Sequence, residues 1–147
     1  MTDMKRVEWN RPEYGIRVAA DTENLHEVQN FVSGILEEHD CPPAIQMLIE
    51  VSLEELFVNI ALYAYPEGDG WAEVRADVTD NIATIMLIDG GVPYNPLEKP
   101  DPDVTLSADE RQIGGLGIFM VKKKMDEMIY EYLDNKNVLT IRKKLHG

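Results

Sequence analysis

The stretch from Pro43 to Tyr65 constrains the fold most. It carries Ala44, Ile45, Met47, Leu48, Ile49, Val51, Leu53, Leu56, Phe57, Val58, Ile60, Ala61 and Leu62, so a helix here is apolar nearly all round. A helix without a polar stripe is a buried helix, and the rest of the chain has to supply its cover. Proline suits its start, because the N–H that proline lacks would be unpaired in a first turn. Pro66-Glu67-Gly68-Asp69-Gly70 ends it in a turn.

The remaining segments supply that cover. Tyr14 to Ala19 reads as a short strand, and Asp21 or Thr22 is placed to cap the helix that follows. In that helix Leu25, Val28, Phe31, Val32, Ile35 and Leu36 fall on one face, with Glu23, Glu27, Asn30 and Glu37 opposite. Trp71 to Val78 alternates, Asp80-Asn81 is a hairpin turn, and Ile82 to Ile88 is a more fully apolar strand. Asp89 to Arg111 holds four prolines and many acids. It reads as irregular, and a loop that long in a compact domain is usually functional. Gly114-Gly115-Leu116-Gly117 opens a third helix, about Ile118 to Met125. Met128–Leu133 and Val138–Lys144 form a last hairpin around Asn135-Lys136-Asn137. The order β-α-α-β-β-loop-α-β-β predicts an α+β two-layer sandwich, a mostly antiparallel mixed sheet with about three helices on one face. At 147 residues the chain reads as one domain.

Charge narrows the function. Lys plus Arg number 14 and Asp plus Glu 27, a net −13, which argues against general binding to nucleic acid or an anionic membrane. Cys41 is the sole cysteine, so there is no internal disulfide and no thiolate zinc cluster. His26, His39 and His146 lack any metal-ligand spacing. No apolar run reaches the ~20 residues of a membrane span, and the polar N-terminus is no signal peptide, so a cytoplasmic protein is expected.

Three constellations carry chemistry. Glu55 and Asn59 stand one turn apart on one face of the apolar helix. A carboxylate could take a proton there and an amide hold a hydrated cation; equally, both could reach a boundary and bond to backbone. Asp89-Gly90-Gly91-Val92-Pro93 ends an apolar strand. It reads either as a turn or as a carboxylate for a donor-bearing heterocycle beside glycine that lets a flat ligand approach. Gly114-Gly115-Leu116-Gly117 before a helix reads either as a hinge or as an anion site built from backbone N–H groups and the helix dipole. It is neither a Walker A loop nor a Rossmann fingerprint. Lys122-Lys123-Lys124 reads as a solvated helix face, and Asp101, Asp103, Asp109 and Glu110 lack a calcium-loop spacing.

In this order the three motifs resemble the GHKL ATP-binding (Bergerat) fold of gyrase, chaperone, histidine kinase and mismatch-repair ATPases. The Asp89-x-Gly91-x-Pro93-Tyr94-Asn95-Pro96 stretch and the run from Gly114 through Ile118 to Met125-Asp126-Glu127 resemble most closely its bacterial anti-sigma factor/serine-protein kinase branch. The resemblance implies that Asn59 coordinates Mg²⁺ on the phosphates of ATP and that Glu55 is the general base on the attacking hydroxyl. It implies that Asp89 accepts the adenine amino group, with Gly91 leaving room for the ring and Pro93 in the same stretch. Gly115 and Gly117 would meet phosphates, Thr140 would support the adenine pocket, and Arg111 would reach toward the terminal phosphate. Tyr63 stands where the family often has histidine, and would line the pocket. The resemblance further implies a serine/threonine kinase that phosphorylates a small anti-anti-sigma (STAS-like) protein, sequesters a sigma factor and forms a homodimer. Two alternatives remain at this point, a nucleotide-binding switch without phosphotransfer and a detached histidine-kinase catalytic domain.

Overall fold

The described part of the chain, residues 12–98 and 115–147 of the computed structural model, forms five strands and three α-helices. The strands are β1 (Gly15–Ala19), β2 (Trp71–Thr79), β3 (Ile82–Asp89), β4 (Glu127–Leu133) and β5 (Lys136–Lys144). The helices are α1 (Leu25–Glu38), α2 (Pro43–Tyr63) and α3 (Gly115–Lys124). Asp21 caps a short 3-10 turn, Thr22–Asn24, that leads into α1. Asp40, in the left-handed region with φ 54°, closes that helix. Its N–H donates to Glu37 O, and the Cys41 N–H reaches back to Leu36 O, a Schellman ending.

The sheet order is β1-β2-β3-β5-β4, and every pairing among the described residues is antiparallel. The mostly antiparallel sheet expected from the hairpins is present, and among the described residues it is antiparallel throughout. Alternation sorts the side chains. Ala72, Val74, Ala76, Ala83, Ile85, Leu87, Leu139 and Ile141 turn to one face and share a core with Val28, Val32, Leu36, Ile49, Leu53, Leu56 and Phe57 of the helices. Burial of the valine, leucine, isoleucine and phenylalanine side chains among these supplies roughly 1.5–3 kcal/mol each. Met86, Ile88 and Val138 form a smaller cluster on the opposite face with Trp71, whose indole carries the Arg17 guanidinium 3.9 Å from its ring centroid.

α2 is covered on three sides rather than all round. It packs against α1, α3 and β3, while Met47 (66% exposed) and Leu62 (59%) face outward. Two hairpin turns set the register. Asp80-Asn81 and Asp134-Asn135 all have positive φ, the type I′ geometry that matches strand twist. The second turn thus lies earlier than Asn135-Lys136-Asn137, and Asn137 belongs to β5. No helix among the described residues is long and apolar enough to cross a membrane.

Candidate functional site

β3 is the central strand, and nearly every residue along it is buried. It ends in Asp89, only 4% exposed. A buried carboxylate needs donors, and the chain supplies two to the same oxygen. The Gly91 N–H donates to Asp89 Oδ1 at 2.9 Å, and Asn137 Nδ2 donates to it at 2.9 Å. Burial pushes the Asp89 carboxyl above its ordinary range, and these two hydrogen bonds oppose the rise. Asn137 lies opposite Asp89 in the β3–β5 register. Its Nδ2 also donates to Val92 O at 2.9 Å, while its Oδ1 accepts from the Tyr94 N–H at 3.1 Å and the Tyr130 hydroxyl at 2.5 Å.

A second set of contacts holds the backbone corner after Asp89. The Tyr65 hydroxyl donates to Trp71 O at 2.5 Å and accepts from the Gly90 N–H at 2.7 Å. The Val92 N–H donates to Ala64 O at 2.9 Å, which ties the corner to the end of α2. Gly91 is required by this approach, since a Cβ on it would stand 2.2 Å from Ala64 O. Space beside Gly91 is thus taken up by Ala64, the residue that follows α2. Gly91→Ala should cost about 1–3 kcal/mol through overpacking, read as a lower urea midpoint at constant slope.

Beside Asp89 opens a pocket of about 600 Å³, counting its mouth to solvent. Leu56 and Ile60 of α2, Ala64 just after it, Leu87 of β3 and Leu139 of β5 give it apolar walls; Val92, Pro93, Tyr94 and Pro96 line the side after β3. Asn59, Tyr63 and Tyr130 complete the lining. A largely apolar slot with few polar groups at its end is the usual form of a small-molecule site. Asp89 Oδ2 carries no hydrogen bond from a described residue and is the oxygen left for a ligand.

Glu55 and Asn59, one turn apart on α2, face different neighbours. The Glu55 carboxylate lies against Gly117 in the first turn of α3, where a Cβ would stand 2.0 Å from Oε2. Asn59 lies on the pocket, and its amide makes no hydrogen bond to a described residue. α3 begins at Gly115, earlier than the expected Ile118, so Gly115 and Gly117 sit inside its first turn. The first turn of any helix carries N–H groups without an intrahelical partner and the positive end of the dipole, and this one lies beside α2.

Of the residues singled out from sequence, the structure gathers Asn59, Tyr63, Asp89 and Pro93 around one pocket, with Gly91 at its corner, and sets Glu55 on Gly117 at the start of α3. Arg111 lies outside the described residues. Thr140 requires correction. It pairs with Met86 and Ile129, and strand parity points it to the face away from the helices, while Asn137 and Leu139 meet the pocket. Its hydroxyl is buried without a partner among the described residues. Asn137, Tyr65, Tyr94 and Tyr130 were not foreseen.

A two-layer fold whose central strand ends in a carboxylate at one pocket, with an Asn-bearing helix on that pocket and a glycine-opened helix packed on the same Asn-bearing helix, has the arrangement of a GHKL-class ATPase domain. Residues 18–143 match the histidine kinase-like ATPase domain, and the chain belongs to that family. Within it, the chain is 28% identical over 99 residues to the anti-sigma F factor of Caldanaerobacter subterraneus subsp. tengcongensis, covering 67% of this chain and 69% of that one. The histidine kinase AdeS of Acinetobacter baumannii has a similar fold, with a TM-score of 0.53 and 13% identity over 96% of this chain and 72% of its own.

Proposed function

We propose that this protein binds ATP with Mg²⁺ and transfers the terminal phosphoryl group to a serine or threonine hydroxyl of a small anti-anti-sigma (STAS-like) partner. The unphosphorylated partner then competes for a protein that also holds a sigma factor, in the cytoplasm and as a homodimer. The observation that carries the kinase half is the Glu55 carboxylate seated on the first turn of α3. A module that only binds nucleotide needs no base there.

The roles follow from the chemistry. The apolar slot takes the purine, and Asp89 Oδ2 accepts its exocyclic amine. The phosphates lie toward the start of α3, where N–H groups and the dipole offset their charge despite the chain's net −13. Phosphoryl transfer depends on such positioning and charge neutralisation more than on covalent help. Glu55 takes the proton as the serine oxygen bonds to the terminal phosphorus and ADP departs. The residues present fit a magnesium ion of the substrate-bridging kind. Asn59 offers an uncommitted amide oxygen at the pocket, and the described residues hold no cluster of His, Cys, Asp or Glu that would cage a metal alone. Bound there, Mg²⁺ would neutralise phosphate charge.

The sigma-factor half rests on the anti-sigma F relative. Incubation with labelled ATP, magnesium and a candidate antagonist should give phosphoserine or phosphothreonine; retention of all label as ATP by a folded, nucleotide-bound protein would refute the kinase reading. Gly117→Ala offers a finer check. Alanine favours a helix over glycine by about 1 kcal/mol, so thermal stability should hold or rise. The new methyl displaces the Glu55 carboxylate, and transfer should fall about 10²-fold, since small misplacements of a reacting group cost that much.

A further inference from the structure

We propose that Asn137 is the positioning residue that makes this pocket choose adenine over guanine, an inference that rests on the ATP reading above. The Asn137 amide cannot be turned round. Val92 O only accepts and the Tyr94 N–H only donates, so Nδ2 must face Val92 and Oδ1 must face Tyr94. The second Nδ2 hydrogen then points at Asp89 Oδ1, which also takes the Gly91 N–H. With Tyr130 on Oδ1, the amide's hydrogen-bonding capacity is filled by four partners from β3, β4 and the segment after β3.

The consequence falls on Asp89. A carboxylate with both oxygens open is a fork for two adjacent donors, and guanine presents such a pair in its ring N–H and its neighbouring amine. Here Oδ1 is occupied twice over from within the protein. One oxygen remains, which suits a base offering a single amine donor on that edge, as adenine does. With its amide filled by these four partners, Asn137 has no hydrogen bond to offer the base and acts by fixing Asp89.

The test is calorimetric titration of the full chain with magnesium-ATP and magnesium-GTP. Asn137→Ala leaves Oδ1 with the Gly91 N–H alone and so opens one lone pair to a second base donor; the ATP-to-GTP affinity ratio should shrink about tenfold or more, the size of one charged hydrogen bond. Asn137→Ser, whose hydroxyl can still accept from Tyr94 but is shorter, should narrow the ratio likewise if alanine prevents folding, with melting of the apo protein as the check on folding. A purely structural role would weaken both nucleotides equally. Variants that fold and keep the wild-type ratio overturn the role of Asn137 and leave the ATP reading standing. A wild-type chain that binds neither nucleotide overturns that reading itself.

Discussion

Asp89→Asn should bind ATP about 10²–10³-fold more weakly than the native chain, a loss made of one charged hydrogen bond and a new donor–donor conflict. The hydrogen-bond network dictates the second part. Gly91 N–H and Asn137 Nδ2 both donate to Oδ1. An amide at position 89 must put its oxygen there and its NH₂ where Oδ2 was, facing the purine amine. An inosine nucleotide, with an oxygen at that place on the ring, should lose far less, so relative preference inverts. The apo variant should be at least as stable as the native protein near neutral pH, because a buried charge is gone while both internal donors stay satisfied. Isothermal titration with ATP and ITP reads both effects, and a variant that still prefers ATP would remove Asp89 from the base site.

The same carboxyl gives a pH signature. Burial raises its folded-state pKa above the unfolded value. The folded apo chain therefore holds this proton more tightly, and the group makes folding less favourable as pH climbs from the ordinary carboxylate range through the raised value. Nucleotide binding runs the other way. In the proposed site the ionised form is the acceptor, so ATP affinity should fall as pH drops through that raised value. Asp89→Asn should lack this component, which separates it from protonation of the nucleotide.

How much of this was legible in the sequence depends on the kind of signal. The helices, the order of helices and strands along the chain and the carboxylate at the end of β3 follow from local periodicity and apolar runs. So does the Glu55–Asn59 pair, which fixed spacing holds one turn apart on α2. Asn137 was hidden by a two-residue choice. Asp134-Asn135 and Asn135-Lys136-Asn137 are both plausible turns, and only the positive φ at Asp134 and Asn135 decides for the first. Once the turn moves, Asn137 enters β5 opposite Asp89, and parity alone sends Thr140 to the far face. A strand's faces exchange with each one-residue slip, so a threonine matched from sequence order carries no guarantee of side. Tyr65 was illegible for another reason. Its hydroxyl joins Trp71 and Gly90 across a turn and a hairpin, a long-range closure that no local pattern encodes.

Glu55→Gln should retain ATP affinity within about 2-fold while phosphotransfer falls about 10²–10⁴-fold, the range a positioned general base supplies. Glutamine keeps the length and the contact with Gly117, so packing of α2 on α3 is preserved. What it loses is the ability to take the hydroxyl proton as the serine oxygen attacks. The prediction separates chemistry from binding because Glu55 stands away from the pocket lining that includes Asp89 and Asn59. Single-turnover transfer from labelled ATP, beside a titration with ADP, gives the two numbers needed. A fall in both by the same factor would mean Glu55 positions nucleotide rather than moving a proton. Transfer at the native rate would leave the chain a nucleotide-responsive binding module, whose hold on its partners changes without covalent marking.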